Sequence, residues 1–251
     1  MATPRLIARA DDYGSFRSAN LAILETFRKG IVRNVSVLAV GHKFDEGASA
    51  LTEAHGLCVG LHATIAAEWD NVRWPPVLPP GQVPALVDDA GDLVKTPVIA
   101  KEQGADPEQI IAEVAAQLGR CRSAGLAIEY LDTHMGFDWI DGVHEALADL
   151  CEREGILFAN ALEGLDRCPR SDSDDPLGAL AEGISSMDGG TYLLVGHPAY
   201  DDDEMADVGH KGYEPPRVAR EREVERRMFT DGRVLAAVRS NGVDLIRYTE
   251  A

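Results

Sequence analysis

The sequence is poor in the features that mark thiolate-metal, secreted or membrane proteins. It holds four cysteines in 251 residues, and no two form the CxxC pair of zinc ribbons and redox sites. No stretch approaches the roughly 18 consecutive apolar residues of a membrane span, and no apolar signal-peptide block follows the first residues. We therefore expect a protein of the reducing cytoplasm, with Cys58 and Cys151 in the core.

Basic residues are also scarce. Lys and Arg number 24 against 42 Asp and Glu, which gives a formal net charge of −18. Phosphate backbones and anionic membranes repel such a surface, so neither a nucleic-acid nor a membrane partner is expected. The charge instead favours a neutral small-molecule substrate, or a cation bound in an acidic cleft.

What the sequence does contain is a repeated alternation of strand-like and helical segments. The strand-like segments are continuously apolar, which is typical of a parallel sheet covered by helices. No GxGxxG or P-loop pattern opens a helix, and an open doubly wound sheet and a closed barrel remain alternatives. The predicted strands are 5–10, 35–40, 57–62, 128–134, 156–160, 191–197 and 243–248, and the predicted helices are 16–29, 43–54, 107–124, 141–155 and 215–231.

One long segment, residues 63–106, interrupts this alternation. Its proline-rich part, WPPVLPPGQVP at 74–84, cannot form a long helix or a central strand. Structureless loops of this length are uncommon in compact domains and are often functional. We therefore predict a single domain over residues 1–251, with a loop excursion at about 63–106 that forms a wall of the substrate site.

Four of the predicted strands end in polar residues with functional chemistry. Because the carboxyl ends of parallel strands meet at one edge, residues far apart in sequence converge there. An aspartate with two histidines is a common divalent-ion set, and its mixed oxygen and nitrogen ligands suit zinc, iron, manganese or cobalt better than calcium. A second carboxylate nearby could serve as general base. The strand-end residues are Asp11, Asp12, His62, Asp132, His134 and His197.

The adjacent pair Asp11 and Asp12 poses a geometric problem. Neighbours in a regular strand point to opposite faces, so both carboxylates reach one site only if the chain bends after Ala10. Gly14, two residues further on, permits such a bend. The alternatives are structural: the pair could cap the helix that starts near Phe16, and each histidine taken alone could be a core residue.

Four motifs, ADDYG, GLHATI, DTHMG and GHPAY, occur in this order along the chain. Together they resemble the YdjC family of carbohydrate deacetylases, which includes chitooligosaccharide deacetylases and hopanoid-biosynthesis deacetylases. The resemblance spans about residues 6–200. Three details depart from the family pattern. Met135 and Gly136 follow His134 where many members read D-x-H-x-H, and Ala199 stands in a motif that often reads HPGY. The stretch after GLH, AEWDNVRWPP at 67–76, is unlike the shorter versions expected in the family.

The resemblance implies a distorted (β/α) barrel of mostly parallel strands with outer helices. It implies one divalent ion, magnesium or zinc first and manganese, cobalt or iron otherwise, held by Asp12, His62 and His134. The implied activity is that of a metal-dependent hydrolase, which removes an acetyl group from an N-acetylated sugar or oligosaccharide by attack of a metal-bound water. Asp11 would be the general base, and His197 would protonate the leaving amine. Homodimers occur in the family, which makes a homodimer one expected state.

Further residues are assigned around this centre. Asp132 is expected to orient a ligand histidine, and Trp69, Trp74 and Tyr200 are expected to stack on a sugar ring. For the two tryptophans, burial under the loop is an equal alternative. The charged helix at 215–231 is expected on the outer surface. The competing functions are a metal-dependent hydrolase or isomerase acting on another small molecule, and a catalytically silent small-molecule-binding protein.

Overall fold

The computed structural model of the protein describes residues 2–251, which contain one sheet of eight parallel strands. The strand order is β5-β4-β3-β2-β1-β7-β6, and β8 pairs with the first half of β1. Within the described residues β5 and β6 do not pair, so the curled sheet is a barrel left open on one side, and the predicted distorted α/β barrel is confirmed. The strands are β1 (Pro4–Tyr13), β2 (Asn34–Val37), β3 (Cys58–Ala63), β4 (Tyr130–Thr133), β5 (Leu157–Phe158), β6 (Leu165–Arg167), β7 (Gly190–Gly196) and β8 (Asp244–Leu245).

The outer face of the sheet forms the main core. Leu6, Ala8 and Ala10 of β1 are fully buried in one apolar cluster with Ile23 and Leu118, which belong to two of the helices. This burial stabilises the fold, because each fully buried large apolar side chain contributes about 1.5–3 kcal/mol. The helices are α1 (Arg17–Lys29), α2 (Phe44–Thr52), α3 (Pro97–Glu102), α4 (Pro107–Ser123), α5 (Val143–Glu154), α6 (Pro176–Ser185), α7 (Arg217–Thr230) and α8 (Gly232–Ser240).

The inner face of the sheet is apolar at its base and charged at its carboxyl end. Ile7, Tyr130 and Tyr248 belong to a second, smaller buried cluster. The next inward positions on β1 are Arg9 and Asp11, because side chains on one face recur every two residues. The alternation therefore brings charged groups into the mouth of the barrel, above an apolar floor.

Most predicted elements are present, and outside the excursion the main differences lie after residue 156. Residues 171–175 are a loop, as their composition indicates, but the helix α6 that follows was not predicted. It begins where Asp175 accepts a hydrogen bond from the backbone N–H of Leu177 and Pro176 occupies the first turn. The short strand β6 and helix α8 were also not predicted. The predicted final strand at 243–248 is only two residues long, as β8.

The excursion at 63–106 is an ordered, packed segment rather than a structureless loop. It contains α3 and two short 3-10 turns, Pro80–Gln82 and Pro84–Leu86. Buried side chains of α4 hold it in place. Glu113 accepts hydrogen bonds from the N–H groups of Val77 (2.8 Å) and Leu78 (2.9 Å), and Gln117 bonds both backbone groups of Thr64. The segment is thus seated against α4 by polar contacts that periodicity does not reveal.

Glu113→Ala should destabilise the protein by about 2–4 kcal/mol, because two partly buried backbone N–H groups would lose their acceptor. Chemical denaturation of the purified variant measures this change in the free energy of unfolding. The control is Glu108→Ala, an exposed glutamate on the same helix, which should change stability by less than about 0.5 kcal/mol. Equal effects in the two variants would show that Glu113 does not anchor the excursion.

Candidate metal site

The strand β1 contains a bulge at the two adjacent aspartates. Between Ala10 and Tyr13 the chain advances three residues against two in β2, which re-aims the side chains in between. Asp12 itself takes the left-handed backbone conformation, with a φ of 69°, which is uncommon for a residue other than glycine. The required bend after Ala10 is therefore present, and it is made by Asp12 ahead of Gly14 (φ 103°).

Three buried side chains bring their ligand atoms together at the mouth of the barrel. Asp12 Oδ1 lies 3.5 Å from both His62 Nε2 and His134 Nδ1, and these two nitrogens lie 3.2 Å apart. Three ligand atoms held about 2.1 Å from one tetrahedral ion lie about 3.4 Å apart, so the spacing fits a metal ion. Asp12 Oδ1 is buried and accepts no hydrogen bond among the described residues, as a metal ligand atom would require.

A second layer of charged groups surrounds this triangle. Asp132 Oδ2 lies 3.1 Å from His62 Nδ1 and 2.8 Å from the guanidinium of Arg9. Arg9 also contacts both carboxylate oxygens of Asp11, with its Nε 2.7 Å from Oδ1 and its Nη2 2.8 Å from Oδ2. Because a carboxylate accepts the Nδ1–H of His62, the lone pair of Nε2 faces the centre. Arg9 offsets the repulsion between Asp11 and Asp132.

Two residues of this layer were not among those that the sequence predicted at the site. Arg222 Nη1 lies 3.0 Å from Asp12 Oδ2, and Glu68 Oε2 lies 3.0 Å from His134 Nε2. The expectation that the charged helix at 215–231 lies entirely on the outer surface is wrong for Arg222, whose side chain is only 14% exposed. Arg222 lies in the charged run REREVERR, where no pattern distinguishes it from its neighbours. Arg9, in contrast, could have been recognised from the sequence, because it is a charged residue within an apolar strand.

The charge of the cluster depends on its two histidines. Four carboxylates, those of Asp11, Asp12, Glu68 and Asp132, share the space with the two guanidinium groups of Arg9 and Arg222. Without an ion, burial opposes a charge on either histidine, but Glu68 and Asp12 raise the pKa of His134 to about 10, and Asp132 and Asp11 raise the pKa of His62. With neutral histidines, the state that metal binding requires, two negative charges remain for a divalent cation to balance. A divalent cation is the group that this arrangement fits.

The pKa directions follow from these contacts. Burial acts to raise the pKa of Asp12, but Arg222, His134 and His62 outweigh it and hold the pKa well below its usual range. Burial raises the pKa of Asp11 in spite of the opposing effect of Arg9. Asp12 therefore remains a carboxylate, whereas Asp11 has the greater affinity for a proton.

His197 lies beside this cluster and is more open to solvent. It lines a small cavity together with Asp12, Ala199 and Arg222, and its side chain is 37% exposed. Its Nδ1 is 3.3 Å from a carboxylate oxygen of Glu225, which also accepts the backbone N–H of His197. The contact leaves Nε2 as the free ring nitrogen.

The aromatic residues expected at the substrate are placed differently. Trp69 and Trp74 are only 4% and 1% exposed. Both rings are therefore buried under the excursion, which was the alternative to sugar stacking. Trp69 stacks on His210 in the loop after β7. Tyr200 donates a hydrogen bond to Glu25 on α1 (3.0 Å), so it is engaged between the outer helices.

The segment after His134 carries exposed apolar side chains. Met135 and Gly136 take left-handed conformations (φ 58° and 56°) within the 3-10 segment His134–Trp139. Met135 is 43% exposed and Trp139 49% exposed. Trp139, the third tryptophan, is therefore the half-exposed one; it lies five residues after His134 in the chain, and Lys101 Nζ lies 5.2 Å from its ring centroid.

No helix within residues 2–251 has the length and apolar character needed to cross a lipid bilayer.

Known proteins resemble this chain along its whole length. A carbohydrate deacetylase of Thermoanaerobacter pseudethanolicus is 28% identical over 258 aligned positions, covering 97% of this chain and 98% of that protein. Carbohydrate deacetylase 1 of Listeria innocua is 26% identical, covering 85% and 88%. Among solved structures, a protein of Enterococcus faecalis described as a candidate for cellobiose-phosphate cleavage has the same fold, with a TM-score of 0.78 at 21% identity, covering 100% of this chain and 99% of that one.

The family described as YdjC-like protein matches residues 5–240. This range includes all four motifs that carry the resemblance and every residue of the buried Asp and His cluster. The chain therefore belongs to the YdjC-like family.

Proposed function

We propose that the protein is a metal-dependent hydrolase that removes an acetyl group from an N-acetylated sugar or oligosaccharide. The observation that carries the proposal is the buried triangle of Asp12, His62 and His134, whose three ligand atoms lie within 3.5 Å of one another. The names of the relatives, which are carbohydrate deacetylases, support the sugar substrate.

The donor set supports a divalent ion with both nitrogen and oxygen ligands. Zinc fits the spacing and the two imidazoles well, manganese, cobalt and iron accept the same donors, and magnesium prefers oxygen. A bound ion would polarise the acetyl carbonyl and lower the pKa of a water molecule.

The surrounding residues have separate roles in proton transfer and in holding the metal ligands. Asp11 accepts the proton of the attacking water as general base, and Arg9 fixes the direction of its carboxylate through two contacts. Asp132 holds the ring of His62, and Arg222 occupies the second oxygen of Asp12. His197 donates a proton to the leaving amine from its free Nε2, while Glu225 holds the other ring nitrogen.

The sugar contact is assigned to Trp139 rather than to the predicted Trp69 and Trp74. A half-exposed indole ring can stack on the apolar face of a sugar, whereas the other two rings are enclosed by protein. Lys101 lies over the ring of Trp139, so the sugar would stack on the opposite face. Tyr200 is held by Glu25 and the guanidinium of Arg226, so its predicted contact would require these bonds to break.

Asp11→Asn should abolish most of the activity and leave metal binding intact. Loss of a general base lowers kcat by about 10²–10⁴-fold, and the assay is acetate release from N-acetylglucosamine oligomers with added divalent ion. Asp89→Asn, at an exposed position of the excursion, should retain wild-type activity. Absence of acetate release by the wild-type protein from every N-acetyl sugar would refute the deacetylase function.

His62→Ala should bind far less metal than the wild-type protein, since one of three ligands is removed. Metal analysis after dialysis against zinc measures the bound ion per chain, expected at about one equivalent in the wild type. His55→Ala, an exposed histidine at the other end of the barrel, is the control. Equal metal content in the His62 and His55 variants would place the metal elsewhere.

Trp139→Ala should raise KM for N-acetyl oligosaccharides by about 2- to 10-fold, because a stacking contact is lost. Steady-state kinetics with oligomers and with the monosaccharide measure the effect. The matched control is Leu21→Ala, an apolar residue on α1 that is also 49% exposed. An unchanged KM in Trp139→Ala would exclude this ring from the substrate site.

A further inference from the structure

His134 has a contact at each of its two ring nitrogens. Nδ1 faces the centre of the cluster, 3.5 Å from Asp12 Oδ1, and Nε2 lies 3.0 Å from Glu68 Oε2. A carboxylate can only accept a hydrogen bond, so the proton of the neutral ring sits on Nε2. The lone pair of Nδ1 is then directed at the position of the ion.

Glu68 is placed to accept the hydrogen bond from Nε2 of His134. Its side chain is 13% exposed, so its contact with His134 is not an ordinary surface ion pair. It faces the outer nitrogen of His134 and is not one of the groups whose ligand atoms converge, so it does not itself hold the ion.

The backbone on both sides of Glu68 is fixed. The N–H of Ala67 bonds the carbonyl of Val94 (2.8 Å), and the N–H of Asp70 bonds the carbonyl of Gly209 (2.9 Å). Trp74 of the same excursion packs edge-on against the ring of His134, with 6.1 Å between ring centroids. The excursion thus directly contacts His134, one of the proposed metal ligands.

The two site histidines are held by unlike elements. Asp132, the partner of His62, lies on strand β4, which is paired with β3 along the register. Glu68, the partner of His134, lies outside the sheet on a segment whose position depends on α4 and on the loop after β7. The orientation of His134 therefore depends on the excursion being seated.

We infer that Glu68 is a positioning residue that orients His134 for metal binding, and that the excursion is thereby part of the metal site. The inference rests on the proposed metal-dependent function. It assigns Glu68 a role in metal affinity that is separate from contact with the sugar.

The test compares zinc affinities of purified variants, measured by competition with a chelator. Glu68→Ala should weaken zinc binding by about 10- to 100-fold, the effect usually found when the hydrogen-bond partner of a metal ligand is removed. Glu68→Gln should lose less, because its amide oxygen can still accept the Nε2–H of His134. The matched control is Asp70→Ala, an exposed carboxylate two residues away that pairs with Lys95, and its zinc affinity should stay within about 3-fold of the wild type.

The outcomes separate the two proposals. Wild-type zinc affinity in Glu68→Ala would overturn the inference, and so would equal losses in Glu68→Ala and Asp70→Ala, which would indicate general loosening of the excursion. Partial rescue by Glu68→Gln, together with unfolding temperatures of the metal-free variants close to the wild type, supports it. If the wild-type protein binds no divalent ion at all, the proposed metal-dependent function is itself refuted.

Discussion

The buried guanidinium of Arg9 is the contact on which the rest of the site depends. It bridges Asp11 and Asp132 at distances below 3 Å, and both carboxylates are almost completely buried. Without a cation between them, two such carboxylates would repel each other and be forced to take up protons. With Arg9 in place, Asp132 can hold His62 and Asp11 can face the same space. Arg9 belongs to the inward face of β1, so the strand that carries the aspartates also carries their counter-charge.

The same cluster has a donor set that fits a divalent cation. Arg222 pairs with one oxygen of Asp12, and the other oxygen accepts no hydrogen bond among the described residues. The cluster therefore combines a buried carboxylate oxygen with two imidazole nitrogens at distances that fit a metal ion. Each of these features has a structural cause: the bulge at Asp12, the pairing of β3 with β4, and the seating of the excursion against α4.

Sequence patterns were enough to predict that Asp12, His62 and His134 meet, but not which charged residues surround them. Asp12 and His62 lie at the carboxyl ends of β1 and β3, and His134 follows β4; these ends of parallel strands converge at one edge of the sheet. Arg222 and Glu68 lie on a helix and in a loop, where no periodicity indicates which side chain turns inward. The same limit explains the tryptophans: composition marks them as candidates for stacking, but only packing decides that Trp69 and Trp74 are enclosed and Trp139 is exposed.

The sequence by itself determined a parallel sheet covered by helices, the strand-end residues and the need for a bend in β1, because these follow from apolar patterning and the two-residue repeat of strands. Patterning left the choice between an open sheet and a barrel undecided, and only the family resemblance favoured the barrel. The tertiary structure decided how the bend is made, by a left-handed Asp12 within a bulge. It also decided which distant charges balance the cluster, since Asp12 meets Arg222 across 210 positions of the chain. Contacts of that range depend on how helices and loops pack over the sheet, and no local sequence pattern encodes such packing.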